Sequence, residues 1–330
     1  MLEVDPAGTA GGVEAGGIPR ARRILAVGSV ALDSVESPFG KAEGVVGGSA
    51  IHFAAAASLF APVQVVGVVG DDYPLEELDF LARRGVDLSG IESAPGESFR
   101  WAGRYSHDLS TPETLGTRLG VFADFHPTIP EAFREPDLLF LGNIDPELQG
   151  AVLDQVRRPA MVACDTMNYW IDGSRDALLG LLGRVDILIV NEGEIRQLAE
   201  EANLLRAARW VRTQGPSRVI VKKGEDGALL LDDHGIFFVP GYPLEEVFDP
   251  TGAGDAFAGG FLGALAGWGD FSPAGLRRAV VMGSVTGSLA VESFSVERLR
   301  AADRGDVARR AREFRRMTYF DLDERELGNG

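Results

Sequence analysis

The sequence predicts a doubly wound α/β protein, a mostly parallel sheet flanked by helices, with a small β-sheet lid inserted early. Three observations carry this reading. Short aliphatic and β-branched runs alternate with helical stretches from residue 137 onward. Many of the 42 glycines sit at strand-to-helix junctions rather than in a repeat. The alternation breaks between residues 98 and 126, where short β-forming segments follow one another with no helix between them.

In chain order, residues 23–30 (Arg-Ile-Leu-Ala-Val-Gly-Ser-Val) read as the first buried strand, residues 50–60 as an alanine-rich helix and Val63–Val69 as a second strand. Pro62 divides that helix from that strand, so the apolar stretch 50–70 is better explained by the two elements than by a membrane span. Residues 75–84 read as a helix stopped by Gly85. Residues 99–106 and 118–125 read as an antiparallel pair that residues 34–46 can join, which places lid segments near 34–46 and 98–126. Runs 138–141, 161–164, 187–190 and 219–221 suit buried parallel strands, with helices such as 148–157 and 194–201 between them. Residues 229–231 and 235–239 form a hairpin through Asp232-Asp233-His234, and the last third is helical from Gly254. With no internal repeat and no obvious linker, residues 23–330 read as one domain behind a flexible, glycine-rich leader, 1–22.

A formal charge of −17 argues against nucleic acid as a partner, because phosphate chains need a basic surface. Any reading in which the chain binds phosphates would need them held by backbone N–H groups, one or two lysines and a metal ion. The single cysteine, Cys164, excludes an intramolecular disulfide framework and suits a reducing cytoplasm. It reads as a small buried residue on a strand. The leader lacks the apolar core of a secretory signal, and no membrane partner is expected.

The chemistry concentrates in Asp249-Pro-Thr-Gly-Ala-Gly-Asp-Ala-Phe257, which joins an extended stretch to a helix rich in alanine and glycine. Gly252, Ala253 and Gly254 can point their N–H groups into one space at the positive end of that helix, forming an anion hole. Asp255 would touch an anion bound there and can act as general base toward a hydroxyl group. The P-loop pattern occurs nowhere in the chain. Gly252-x-Gly254 could open a dinucleotide fingerprint, but Phe257 occupies its third glycine position. Taken alone, the turn also allows the plainer reading that Asp255 simply favours a helix N-terminus.

Residues 249–257 closely resemble the C-terminal signature of the ribokinase-like (PfkB) carbohydrate and nucleoside kinases, and other segments follow the family's order over about residues 23–300. The resemblance implies a ribokinase-like fold and ATP-dependent transfer of the γ-phosphate to a primary hydroxyl of a small sugar or nucleoside, with Mg²⁺ as the metal. Asp255 would take the proton of the attacking hydroxyl, while the backbone of Gly252, Ala253 and Gly254 stabilises the transferring group.

The resemblance assigns the other residues in two groups. On the substrate side, Asp33 in Gly28-Ser-Val-Ala-Leu-Asp33 matches an aspartate that binds hydroxyls, and Gly47-Gly48 with Ser49 match the N-terminal glycine pair. His52 stands where the family has asparagine, the clearest departure; it can bond to or stack on a substrate ring, or merely cover a helix turn. Apart from the resemblance, Asn143 and Asp145 follow one strand and Asp165 and Asn168 the next, the latter pair facing the expected phosphate path; both lie at carboxyl ends, where open α/β sheets bind ligands. On the nucleotide side, Asn191-Glu-Gly-Glu194 matches Asn-x-x-Glu, in which Glu194 would organise Mg²⁺ through water; a helix-capping pair gives the same string. Val221-Lys-Lys-Gly-Glu-Asp-Gly227 aligns with Thr-x-Gly-x-x-Gly, keeping Gly224 and Gly227. Lys222 replaces the threonine and could reach the ATP phosphates, with Thr251 on the same side. Arg104 and Tyr105 are candidates to close over the substrate. Phe99, Trp101 and Tyr105, together with His52, tilt the reading towards a ring-bearing substrate such as a nucleoside. A non-catalytic sensor is the rival from another class, and the presence of Gly252, Gly254 and Asp255 disfavours it. Exposed edges of the lid would suit a homodimer.

Overall fold

The structure, a computed structural model, describes residues 22–109 and 111–319. The expected leader, apart from Arg22, lies outside the described residues.

The chain begins with β1 (Ile24–Val27), whose alternate residues enter two different cores. Ile24 and Ala26 face one, and Leu25 and Val27 face the other. A strand buried on both faces must be apolar throughout, which is why these runs do not alternate with polar residues. At Gly28 the chain leaves this sheet for a second one, through β2 (Ala31–Ser37) and β3 (Gly40–Gly47). It returns through α1 (Ser49–Ala57), every residue of which is buried, and β4 (Val63–Val69). A 3₁₀ turn (Leu75–Leu78) and α2 (Asp79–Arg83) lead to β5 (Asp87–Ser93), β6 (Phe99–Arg104) and β7 (Glu113–Arg118).

Regular alternation follows, through β8 (Leu138–Leu141), α3 (Pro146–Leu153), β9 (Met161–Asp165), α4 (Asn168–Gly173), α5 (Arg175–Leu182), β10 (Ile187–Asn191), α6 (Glu192–Ala199), α7 (Leu204–Thr213) and β11 (Arg218–Lys222). The hairpin β12 (Ala228–Asp232) and β13 (Gly235–Val239) precedes α8 (Ala253–Trp268), α9 (Pro273–Ala290), α10 (Glu297–Ala301) and α11 (Arg304–Thr318).

The main sheet has nine strands in the order β13-β12-β11-β10-β9-β8-β1-β4-β5, parallel except for the β12–β13 hairpin. From β1 the chain builds outward to β4 and β5, then crosses back to β8 and builds the other way. The crevice at the carboxyl ends of β1 and β8 is therefore the topological switch point, where such sheets bind ligands. The second sheet, β3-β2-β6-β7, grows directly from the end of β1 and stands over that crevice as a lid. Helix α8 packs on α1 where Gly259 and Gly263 meet Phe53 and Ala57, which fixes where its N-terminus falls.

Several local expectations differ from the structure. The strand expected over 118–125 lies earlier, at Glu113–Arg118, and Gly120–Asp124 is a 3₁₀ turn. Every residue of β7 is exposed, so it has no apolar pattern to read, whereas Phe122 folds back to stack on Phe99 and Phe125. The first strand, expected to run to residue 30, ends at Val27, because the chain changes sheets there. The helix expected over 75–84 is split into a 3₁₀ turn and α2, ending as expected at Gly85, where φ is +83°. Helices expected at 148–157 and 194–201 start two residues earlier, at Pro146 and Glu192, behind the capping residues Asp145 and Asn191. The polar edge strand β5 and helices α4, α5 and α7 were not anticipated individually.

Candidate active site

The turn before α8 is built by a buried carboxylate. Asp249, 1% exposed, accepts the Thr251 N–H at 2.9 Å on one oxygen and the Ser295 N–H at 3.1 Å on the other. The chain then takes a left-handed step at Gly252 (φ +73°) and enters α8 at Ala253. Glycine is required at position 252 twice over: for its backbone angle, and because a Cβ would collide with the His52 ring. At Gly254 a Cβ would lie 2.7 Å from the Lys222 Nζ. The first turn of α8 therefore presents bare backbone at its positive end.

Asp255 sits in that first turn, and its Oδ1 is buried without a hydrogen-bond partner. Burial, then the charge of Asp165, pushes its pKa up to about 7, and Lys222 opposes the rise. Lys222, the last residue of β11, forms an ion pair with Asp165 at the end of β9, Nζ to Oδ2 3.0 Å. Burial acts to lower the Lys222 pKa, but Asp165, Glu194 and Asp255 together outweigh it and hold the ammonium protonated. The neighbouring Lys223 turns the other way, towards Asp226 at 3.3 Å and Glu192 at 3.6 Å.

Asn191 and Glu194 cap α6 reciprocally: the Glu194 N–H donates to Asn191 Oδ1 at 2.8 Å, and the Asn191 N–H to Glu194 Oε2 at 2.7 Å. The plainer reading of this motif is thus present in the structure. It leaves Glu194 Oε1 for other work, and burial pushes the carboxyl up to about 7. No group of three or more metal-binding side chains occurs among the described residues. A Mg²⁺ ion held mainly by water and phosphate oxygens would suit that donor set, and Glu194 is the side chain that could serve it.

At the other end of the crevice, Asp33 leaves β2 pointing over Gly47, where any Cβ would overlap its carboxylate. Burial, then the charge of Asp249, pushes Asp33 up to about 7, against the N–H that Gly48 donates to it. His52 is 1% exposed and lies against Gly252; its Nδ1 has no partner, and burial drops its pKa to about 4. Ser49 is committed locally, exchanging bonds with Ser29: each N–H donates to the other's Oγ at 3.0 Å. This pair clamps the start of α1 to the end of β1.

The lid places its residues unequally. In register, Trp101 stands opposite Asp33, and its indole covers Gly103 on the same face. Arg104 falls on the opposite face, ion-paired with Glu36 at 3.1 Å and Glu113 at 3.8 Å. The structure does not bring it to the crevice. Tyr105 does reach it, with its hydroxyl 3.3 Å from Thr251 Oγ1. Asn143 accepts from Trp170 Nε1 at 2.9 Å, Asn168 donates to Gln197, and Asp145 caps α3 by accepting from Glu147 N–H at 2.8 Å. Gly224 opens a 3₁₀ turn after β11 and Gly227 follows it, both with positive φ.

Sequence reading missed one residue of the support. Gln149, fully buried on α3, donates from Nε2 to the carbonyls of Gly142 at 2.8 Å and Asp165 at 3.0 Å. It ties the ends of β8 and β9 together, and nothing in its local sequence marks it.

A lid over the switch point, a bare helix N-terminus and a buried carboxylate beside it together define a lidded α/β phosphotransferase. Residues 26–300 match the pfkB family of carbohydrate kinases, and the chain belongs to that family. It is a kinase that phosphorylates a hydroxyl group. The sequence is 31% identical to the cytidine kinase of Thermococcus kodakarensis over 248 residues, covering 72% of this chain and 87% of the other. It is 32% identical to the ATP-dependent ribose-1-phosphate kinase of Halopiger xanaduensis over 255 residues, covering 73% and 79%. Aminoimidazole riboside kinase from Salmonella enterica, solved with aminoimidazole riboside and an ATP analog, shares the fold with a TM-score of 0.70 at 22% identity, over 88% of this chain and 99% of that one. No helix among the described residues is long and apolar enough to cross a membrane.

Proposed function

We propose that this kinase transfers the γ-phosphate of ATP to a primary hydroxyl of a small ribose-containing acceptor, a nucleoside ahead of a plain sugar. Asp255 is the general base. The observation that carries the assignment is its position in the first turn of α8, with one buried oxygen left without a partner at the glycine-rich start of the helix. A carboxyl pushed up to about 7 is matched to taking a proton near neutral pH.

Gly252, Ala253 and Gly254 form the anion hole, and Asp33 and Gly48 anchor the acceptor. Asn191, Lys222, Gly224, Gly227 and Thr251 lie on the nucleotide side. Glu194 would hold Mg²⁺, which would neutralise phosphate charge as an acidic chain of this kind needs. The preference for a nucleoside rests on Trp101 over Gly103 beside Asp33, an aromatic face at the acceptor end, and on the cytidine kinase relative. His52 is buried against the anion turn, so its support for a ring-bearing substrate is indirect. We read residues 23–330 as one cytoplasmic kinase domain, and the exposed β7 edge as a surface suited to a homodimer.

The test is ATP consumption against a panel of nucleosides and sugars, followed by Asp255→Asn with the acceptor so found. That variant should lose roughly 10²–10⁴-fold in kcat, the usual range for a general base, with ATP still bound. Full activity would remove Asp255 from the role. ATP bound but consumed with no acceptor would favour the sensor.

A further inference from the structure

We propose that Lys222 is a catalytic residue whose ammonium completes the anion hole by touching the phosphoryl group in transit, and that Asp165 is the residue that positions it. This role presupposes the kinase reading of the site. It goes further by assigning Lys222 to the group that moves rather than to the nucleotide as a whole.

The geometry is specific. Lys222 Nζ is 3.0 Å from Asp165 Oδ2 on one side. On the other it presses on Gly254, close enough that a Cβ there would come within 2.7 Å. The ammonium thus sits against the backbone that forms the hole, one residue from Asp255. Adjacent parallel strands deliver this arrangement: β9 ends in Asp165, β10 in Asn191 and β11 in Lys222, with Asn191 and Lys222 paired in register.

Electrostatics explains why backbone alone would fall short. Asp255 is surrounded by the charges of Asp165, Asp33 and Glu194, with Lys222 as the opposing cation. A transferring phosphoryl group carries negative charge spread over its oxygens and would be repelled by these carboxylates. Helix N–H groups offer only partial charges. Of the two consecutive lysines, the structure turns Lys222 towards Asp165 and Lys223 towards Glu192 and Asp226.

Asp165 makes the lysine precise. A lysine has a long flexible stem and a point charge, so its position must be imposed. Asp165 is fixed on every side: Oδ1 accepts from Thr166 N–H at 2.8 Å, Oδ2 holds Lys222, and its carbonyl accepts from Gln149 at 3.0 Å. It therefore acts through Lys222.

A merely structural ion pair would change stability without separating ground-state from transition-state binding. The test compares Lys222→Met, Lys222→Arg, Asp165→Asn and the Asp165→Asn/Lys222→Met double variant, using the acceptor identified by the panel. ADP affinity is measured by calorimetry with and without aluminium fluoride, which mimics the group in transit. Lys222→Met should lower kcat by about 10²–10³-fold, as loss of one anion-hole donor does, with KM for ATP changed by less than about threefold. It should bind ADP normally and lose the gain from aluminium fluoride. Lys222→Arg should recover part of the rate. The double variant should be no slower than Lys222→Met, since Asp165 has nothing left to position.

Lys222→Met strands a buried carboxylate, so if it does not fold the double variant carries the same measurements. Three results would overturn the proposal: a kcat within about threefold of the parent, an effect confined to KM for ATP, or multiplying losses in the double variant. An inactive Asp255→Asn beside a fully active Lys222→Met would sink this proposal alone. An active Asp255→Asn would instead sink the base assignment.

Discussion

The imidazole of His52 occupies the space beside Gly252 into which any side chain at that position would have to project. The N-terminus of α1 and the anion turn are thus in direct contact. Gly252→Ala should lower kcat by about 10²-fold or more, because it adds left-handed strain of roughly 1–2 kcal/mol and displaces the turn or the ring. In a His52→Ala background the same substitution should cost less. Steady-state kinetics on the four proteins measures the coupling, and equal losses in both backgrounds would show that the ring does not support the turn.

Asp255 should set the acid limb of activity. Burial first, and Asp165 second, push its carboxyl up to about 7. A base must be ionised to act, so kcat/KM should be level above about pH 7 and fall towards tenfold per unit below it. A profile from about pH 5.5 to 8.5 checks this, with the residual rate of Asp255→Asn expected to lack the limb.

Stability should show the opposite trend. Asp33 and Asp255 bind protons more tightly in the folded protein, where each is pushed up to about 7, than in the unfolded chain. Their contribution is complete below the ordinary carboxylate range and is lost as pH rises through about 7. His52 works in the other sense: pushed down to about 4 by burial, it contributes above its ordinary titration and loses this as pH falls. Urea midpoints of ligand-free protein should therefore fall between about pH 6.5 and 8, and fall less in Asp33→Asn. A parent and variant with identical pH dependence would contradict the burial of that charge.

The lid and the catalytic turn meet at Tyr105 and Thr251, whose hydroxyls are 3.3 Å apart. A hydrogen bond of this kind contributes about 1 kcal/mol, so Tyr105→Phe should shift lid closure by roughly fivefold. Water then competes with the acceptor. The ratio of ADP formed to acceptor phosphorylated should rise in the variant, and an unchanged ratio would mean the contact does not hold the lid.

What the sequence reveals follows from where the chemistry is written. The anion turn is legible because residues 249–257 hold its glycines, its base and its helix start in one uninterrupted stretch. The interior strands of the main sheet are legible because strands buried on both faces must be apolar. The exposed β7 and the polar β5 carry no such signal, since β7 buries no residue and β5 turns only Leu88 and Ile91 onto the core. Asp165 and Lys222 are each visible as strand-end residues, but their pairing spans 57 positions and exists only through sheet order. Arg104 reads as a lid candidate from its place in the inserted segment, and strand alternation sends it to the far face of the lid. His52 was visible as a departure from the family pattern, yet its contact with Gly252 depends on how α1 packs against α8.

Gln149 gives this architecture an unexpected vulnerability. One amide nitrogen serves the carbonyls at the ends of two strands, and one of those strands carries Asp165. Replacing it with leucine would preserve bulk while leaving those acceptors unsatisfied, at about 1–3 kcal/mol for each group left buried. A survey of inactivating substitutions would then return this helix residue beside Asp255, although it is anchored to backbone rather than aimed at the crevice. Sensitivity to mutation in this enzyme would trace the scaffolding of the crevice as faithfully as its chemistry.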